Sequence, residues 1–279
     1  MAGAPLRAGE SEEEDWAKGF ETYAGLDGDT VPSRTAAARE PRFRPVRGLA
    51  MAVTLLLALA AVAAAYGLVA DIGAFRHSGR PLVHDGYDAK AFALLDADRD
   101  RHSTAGSLQL WAMTVTAGVF IAWFHRVRTN ADALEPQTCS TGPGWAIGAW
   151  FVPLVNLVMP WFIAREVIYA SDRSARGDAA RHDDAPRKPS LTLLNAWWAA
   201  WVVSKVLLVI GSRLPAAGDE MASVHRTSGV WIGVDALNLV AALLAVLLVQ
   251  RLTRLQRRGY ERMTAPLAPP ASSPAPRSI

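Results

Sequence analysis

The sequence has almost no cysteine, and this scarcity removes several classes of chemistry. Cys139 is the single cysteine, which excludes an internal disulfide and any cysteine-based metal cluster. Neither H-E-x-x-H nor G-x-S-x-G occurs, and no apolar segment carries a histidine cluster. His125 stands alone near the end of an apolar segment, which is typical of a structural histidine. We therefore expect a protein that is not an enzyme and that uses no metal and no cofactor.

A run of alternating aspartates lacks what a calcium loop needs. Asp96 and the two alternating aspartates after it resemble the first three ligands of an EF-hand. The sixth position, which an EF-hand fills with glycine, is Arg101, and the twelfth, which should be glutamate, is Ser107. The pattern excludes an EF-hand, and we expect residues 71–107 to form a polar loop.

The chain also lacks a strong excess of charge. Its net charge is +3, and the arginines lie beside the ends of apolar runs instead of forming one basic domain. This placement is typical of a membrane protein and does not indicate nucleic-acid binding. Hydrophobic residues make up 51% of the chain and are concentrated in long runs, which favours membrane spans over a soluble core.

Four apolar runs are long enough to cross a bilayer, and the first, residues 49–70, contains no charge. The polar leader before it does not fit a cleaved signal peptide, so we expect this run to be retained. The predicted spans are residues 49–70, 108–125, 191–212 and 230–250. They lie in a helical membrane domain of residues 48–258, between disordered tails of residues 1–47 and 259–279.

A fifth apolar stretch, residues 144–171, is interrupted by Pro153 and Pro160, and its limbs are too short to span. Crossing as a fifth span would place the next basic loop opposite the arginine-rich N-terminus, against the positive-inside rule. We predict an all-α integral membrane protein with four transmembrane helices and a proline-broken re-entrant or interfacial helical hairpin. The chain would lie in the cell membrane with both termini in the cytoplasm. Five transmembrane helices are the alternative.

Two charged residues fall inside predicted spans. Lys205 lies about eight residues before the end of its span and Asp235 about five residues into the next, which at ~1.5 Å per residue gives them similar depths. Because an isolated charge is costly in a bilayer, we predict an ion pair between them. The alternative is that Lys205 extends to the outer surface and Asp235 is tolerated near it.

The interrupted stretch carries a candidate motif, in which Asn156 lies between the two prolines. An amide there is suited to hydrogen-bond backbone groups that a broken helix leaves free, and contact with a ligand is its alternative role. The motif residues are Trp145, Gly148, Trp150, Pro153, Asn156, Pro160 and Glu166.

Two further sets are predicted at the membrane interfaces. One is an inner basic collar, whose arginines should attract anionic lipids by roughly 1 kcal/mol each. The collar consists of Arg126, Arg128, Arg251 and Arg254. The other is an aromatic belt of Trp197, Trp198 and Trp201.

Two segments resemble a known membrane family. They are VFIAWFHRVRTNADAL (119–134) and GWAIGAWFVPLVNLVMPWFIAREVIYAS (144–171), followed by a tryptophan pair and RLTRLQ at 251–256. They are similar to the bacterial family called domain of unknown function 4328, common in actinobacteria, over roughly residues 49–256. Relatives often carry tryptophan where this chain has Val158, which argues against a stacking role there. The resemblance implies a multi-pass membrane protein and supplies no activity.

The sequence leaves two functions open. One is a noncatalytic organising or regulatory membrane component that contacts a protein partner through its N-terminal tail, where Ser11 and Glu14 have capping-box spacing. The other is a small transporter or channel subunit that uses the interrupted stretch, and four spans would require a homo-oligomer. The expected partners are the lipid bilayer, with anionic lipids at its inner face, and no nucleic acid.

Overall fold

The computed structural model describes residues 42–78, 89–136, 138–177, 188–213 and 220–265, which are almost entirely helical and contain no strand. The helices are α1 (Arg47–Ser78), α2 (Ala89–Leu134), α3 (Trp145–Gly148), α4 (Met159–Arg176), α5 (Thr192–Arg213) and α6 (Glu220–Thr264), with a 3₁₀ turn at Val155–Leu157. Four of them, α1, α2, α5 and α6, are long and apolar enough to cross a membrane. The predicted all-α membrane protein with four spans is confirmed.

The helix α6 lies at the centre and runs antiparallel to α1. Ser78 Oγ lies 3.4 Å from His225 Nδ1, which joins the two helices at one end, called here the distal end. Phe43 and Tyr260 stack with ring centroids 4.3 Å apart at the other, the proximal end. The helices α2 and α5 pack on the same pair, α2 mainly against α1 and α5 against α6.

The stretch between α2 and α5 starts and finishes at the proximal end. Near the end of α2, Asn130 hydrogen-bonds the backbone of Arg44, which precedes α1. At the last turn of α5, a Cβ on Gly211 would lie 3.1 Å from Val230 near the distal end of α6, so α5 runs antiparallel to α6. Residues 144–171 therefore return to the end from which they leave, as the hairpin requires and the five-span alternative does not.

The helix α4 is amphipathic and packs with its apolar face along α6. It is not one of the four candidate spans. Its buried face includes Ile163, Ala164, Val167 and Ile168. Pro160 lies in its first turn, where the missing N–H has no helical acceptor to lose. This proline therefore starts a helix, whereas the sequence suggested that it interrupts one.

Small residues let α1 approach α6 closely. Its buried face includes Ala50, Val53, Ala60 and Ala64, while large apolar residues such as Leu55 point outward. Close backbone approach through small residues is how helices associate in lipid, where apolar burial alone offers little gain. The outward apolar face of α1 is suited to contact acyl chains.

The prediction of a polar loop over residues 71–107 is wrong. The helix α1 continues to Ser78, and α2 begins at Ala89. The polar residues Asp71 and Asp98 are buried between these helices and bonded to histidines, so the helices extend past the apolar runs. The helix α6 also continues to Thr264, beyond the predicted domain end at residue 258. Residues 1–41 and 266–279, most of the predicted tails, lie outside the described residues.

A buried polar cluster ties the proximal end together. Gln256 on α6 is fully buried and donates to the carbonyl of Val127 at 2.7 Å and to Ser171 Oγ at 3.4 Å. Its own carbonyl accepts from Asn130 Nδ2 at 3.2 Å. Asn130 in turn brackets the backbone of Arg44, accepting from its N–H and donating to its carbonyl. One amide therefore connects α2, α4 and α6 and, through Asn130, the chain before α1.

Candidate functional site

The tip of the hairpin is a strained turn. Leu154 has φ 65° and ψ −45°, and it is the only non-glycine residue with positive φ in the part of the chain that the structure describes. The N–H of Val155 donates to the carbonyl of Pro153 at 2.8 Å, which closes a γ-turn around Leu154. Pro153 thus initiates the reversal, and Asn156 follows it with its side-chain oxygen buried and without a hydrogen-bond partner among the described residues.

Leu154→Gly is expected to stabilise the protein by about 1 kcal/mol, because glycine adopts positive φ without the Cβ clash. Leu154 is 79% exposed, so little packing is lost. Reversible unfolding in mixed micelles measures the change. The control is Leu157→Gly in the adjacent 3₁₀ turn, whose φ is negative and which should be destabilised. Equal losses in both variants would contradict the strain at Leu154.

Trp150 fills the space between α2 and α5. Its ring centroid lies 5.7 Å from that of Phe120 and 5.9 Å from that of Phe124, both on α2. On α5 it lies 6.1 Å from Trp201 and 6.4 Å from Trp198. All four contacts are edge-on, an arrangement favoured by the ring quadrupoles. The hairpin is therefore packed against the bundle through the Trp150 ring, which lies between α2 and α5.

Of the three tryptophans predicted to form an aromatic belt, Trp197 is buried inside the bundle, while Trp198 and Trp201 are partly exposed. Trp197 is 5% exposed, and its ring lies 5.9 Å from that of Phe120. Trp198 and Trp201 stack at 5.0 Å. Their side chains hold the hairpin instead, since Trp198 Nε1 donates to the carbonyl of Leu157 at 3.2 Å.

Hydrogen bonds brace both limbs of the hairpin. On the returning limb, Glu166 accepts from the Ser140 hydroxyl at 2.5 Å, and Trp161 Nε1 donates to Asn195 Oδ1 on α5 at 2.9 Å. On the entering limb, the His125 ring contacts the carbonyl of Pro143 at 3.1 Å. Glu166 of the motif is thus a brace of the entering loop.

Within the described residues, the remaining motif residues, Trp145 and Gly148, have no polar side-chain contact that would assign them a chemical role. Trp145 is 45% exposed and begins α3. A Cβ on Gly148 would meet only the Trp145 ring, at 3.9 Å, so this position does not require glycine.

A cavity of about 210 Å³ lies among α1, α2, α5 and α6 on the distal side of Trp150. It is larger than the ~150 Å³ cavity that takes up benzene in a soluble protein. Four polar side chains line it, of which Gln109, Lys205 and Asn238 lie at similar depth and Thr116 is the fourth. The remaining lining is apolar or aromatic: Leu57, Ala60, Ala64, Met113, Ala117, Phe120, Ile121, Trp150, Trp197, Trp201, Ala241, Ala242 and Ala245.

The structure does not join Lys205 to Asp235. The Lys205 ammonium lies 3.4 Å from Asn238 Oδ1, and Asp235 accepts from Gln109 Nε2 at 3.0 Å. Asn238 follows Asp235 by three residues, so the two side chains leave neighbouring sectors of α6. One faces α5 and the other faces α1 and α2. The predicted ion pair is therefore replaced by two separate hydrogen bonds.

The distal half of the bundle contains buried acids that sequence reasoning missed. Asp71 on α1 is 2% exposed and lies 2.6 Å from His102 Nδ1 on α2. Asp98 is 1% exposed and contacts His77 at 2.6 Å and Arg101 at 2.8 Å. The described residues contain no group of three or more histidine, cysteine or acidic side chains that could hold a metal. The sequence signal that could have found them is helical spacing: Asp98 and His102 are four residues apart and therefore lie on one face of a helix, from which each contacts a residue of α1.

One member of the predicted basic collar is buried. Arg128 is 1% exposed, forms a 2.7 Å ion pair with Asp132, and donates to the carbonyl of Thr141. Arg128 therefore bonds to the loop that leads into the hairpin and is too buried to contact lipid head groups. Arg254 is exposed, and Arg126 and Arg251 are partly exposed.

Cys139 should be a slow thiol, because burial raises its pKa to about 11. At neutral pH the reactive thiolate is then a very small fraction. We expect N-ethylmaleimide to label the folded protein on the order of 100-fold more slowly than an exposed thiol, with the rate rising toward pH 11. Labelling after unfolding in detergent is the control, and equal rates before and after would contradict the burial.

The sequence profile of the family described as Domain of unknown function (DUF4328) matches residues 88–254, more than half of the chain. The chain belongs to this family. The DUF4328 match covers α2 to α6 and the hairpin, but it begins after α1, whereas the resemblance noted in the sequence began near residue 49. No curated protein and no solved structure matches the chain.

Proposed function

We propose that this protein is a noncatalytic membrane component that binds an amphiphilic ligand within the bilayer. The observation that supports this is the cavity of about 210 Å³, which is apolar in most of its lining and is lined on its proximal side by Trp150. A concave apolar site with a few convergent polar groups is the usual form of a small-molecule site. Such occupancy suits a regulatory component whose tails contact a partner.

Lys205 indicates the chemistry of the ligand. An ammonium has three donors, and among the described residues its one hydrogen-bond partner is Asn238 at 3.4 Å, which is long for such a bond. A charge at this depth is costly unless it is paired. A single-chain lipid with an anionic head would pair with Lys205 and place its chain against the aromatic lining.

Lys205→Met is therefore expected to weaken binding of a spin-labelled fatty acid by about tenfold or more, because a charge-assisted hydrogen bond contributes about 1.5–3 kcal/mol. The motionally restricted component of the spectrum in nanodiscs measures binding. Lysophosphatidic acid should compete and a fatty alcohol should not, which tests the requirement for charge.

The matched control is Lys188→Met, an exposed lysine before α5 that should bind like wild type. Binding that does not saturate, or that is equal in both variants, would contradict the proposed site.

The orientation in this proposal places the proximal end in the cytoplasm, so that the arginines there face anionic lipids of the cell membrane. Both tails would then lie in the cytoplasm, where residues 1–47 are available to a protein partner. A cysteine placed at residue 180 in a Cys139→Ser chain should resist an impermeant reagent in intact cells. Labelling of this cysteine from outside the cell would show that the proximal end faces outward and would contradict the proposed orientation.

A second function, transport by a homo-oligomer, is favoured by the hairpin. Non-helical backbone within a bilayer is tolerated where protein or a water-filled cavity surrounds it. The γ-turn at Leu154 is exposed in the single chain, so in this function a neighbouring copy would cover it. Asn156 offers a buried carbonyl oxygen without a partner among the described residues. Ion flux into reconstituted vesicles that is lost in Asn156→Leu would favour this function, and unchanged flux would exclude a role for Asn156 in it.

A further inference from the structure

We infer that Asp71 and Asp235 form a proton-binding site, in which one proton is shared between the two carboxyl groups. The residues are 2% and 5% exposed. The Asp235 carboxyl lies against Gly67 on α1, one helical turn before Asp71 and on the same face of that helix. Carboxylate oxygens are acceptors only, so two ionised carboxylates in contact repel each other, most strongly where water is excluded. A shared proton turns this repulsion into a hydrogen bond.

The surrounding donors leave room for that proton. Gln109 Nε2 donates to Asp235 Oδ1 at 3.0 Å, and His102 Nδ1 lies 2.6 Å from Asp71 Oδ1. The second oxygen of Asp71 is buried and has no hydrogen-bond partner among the described residues. A buried carboxylate oxygen is normally bonded. The shared proton would give this Asp71 oxygen the hydrogen bond that none of the described protein donors provides.

Gly67 on α1 makes the arrangement sterically possible. A Cβ at this position would collide with Asp235 Oδ2 and would lie 2.7 Å from Gln109 Nε2. Gly67 precedes Asp71 by four residues, so the glycine and the acid lie on the same face of α1. This face receives the Asp235 carboxyl from α6.

His102 connects the pair to the distal surface. Its side chain is 41% exposed, while that of its partner Asp71 is 3% exposed. An imidazole can pass a proton between solvent and a buried carboxyl. Other titratable or charged groups on the surrounding helices are His77 on α1, Asp98 and Arg101 on α2, Lys205 on α5, and His225 and Arg226 on α6.

Infrared spectroscopy of the full-length protein in nanodiscs, begun at about pH 5 and followed as the pH rises to about 8, tests the inference. Wild type should show the carbonyl band of one protonated carboxylic acid per chain, shifted in D₂O. Asp71→Asn and Asp235→Asn should each lose it, because the asparagine amide donates to the remaining carboxylate. The matched control is Asp98→Asn, which removes an equally buried acid that is paired with Arg101 and should keep the band.

Two results would overturn the inference. One is the absence of the band in wild type, and the other is its persistence in either single variant, since one carboxyl would then hold the proton alone. Should the variants fail to fold, wild type alone decides. Its stability should fall as rising pH removes the proton, with no protection by Na⁺ at fixed pH. Protection by Na⁺ would make the site a cation site and would contradict the proton.

Discussion

Gln256→Leu is expected to lower the free energy of unfolding by about 3 kcal/mol, one of the two largest effects that we predict. Leucine fills nearly the same volume but neither donates nor accepts. Asn130 loses its acceptor at 3.2 Å and Ser171 loses its donor at 3.4 Å, both in fully buried positions. Each unsatisfied buried group costs about 1–3 kcal/mol.

Gln250→Leu is the matched control for this change. Gln250 lies on the same helix but is exposed, so its replacement should alter stability by less than about 0.5 kcal/mol. Reversible unfolding in mixed micelles compares the two variants. Equal small effects would show that the proximal cluster is satisfied by water or by lipid, and would contradict the role of Gln256 in holding α4.

The spans could be predicted from sequence because their signal is local. Twenty apolar residues without charge specify a transmembrane helix whatever surrounds them. The hairpin was predicted from the placement of arginines, and the chain indeed returns to the proximal end. Both prolines were expected to interrupt a helix, but only Pro153 lies at the turn, whereas Pro160 lies in the first turn of α4.

The partners of polar residues could not be predicted from sequence because they depend on helix rotation. Lys205 and Asp235 were placed correctly on neighbouring helices, but one turn of α6 separates the residue that faces α5 from the one that faces α1. Asp71 was assigned to a loop because the apolar run ends there, although its helix continues to Ser78. The helices therefore continue through buried polar residues, beyond the points at which the apolar runs end.

Trp150→Ala is the second large prediction, a loss of about 3 kcal/mol or more. The ring contacts four aromatic side chains on α2 and α5. Truncation should leave a void continuous with the cavity, because Trp150 lines that cavity. The cost comes from lost contacts that lipid cannot replace inside the bundle.

Trp111→Ala separates packing from the loss of a tryptophan as such. Trp111 lies on α2 and is 72% exposed on the outer surface, so its truncation should have a small effect. Adding indole should restore part of the stability of Trp150→Ala and leave Trp111→Ala unchanged, since an apolar void of this size takes up aromatic molecules. Equal losses in both variants would contradict the packing role of Trp150. A loss without rescue by indole would mean that the hairpin collapses into the void, and the proposed site would then lose its proximal wall.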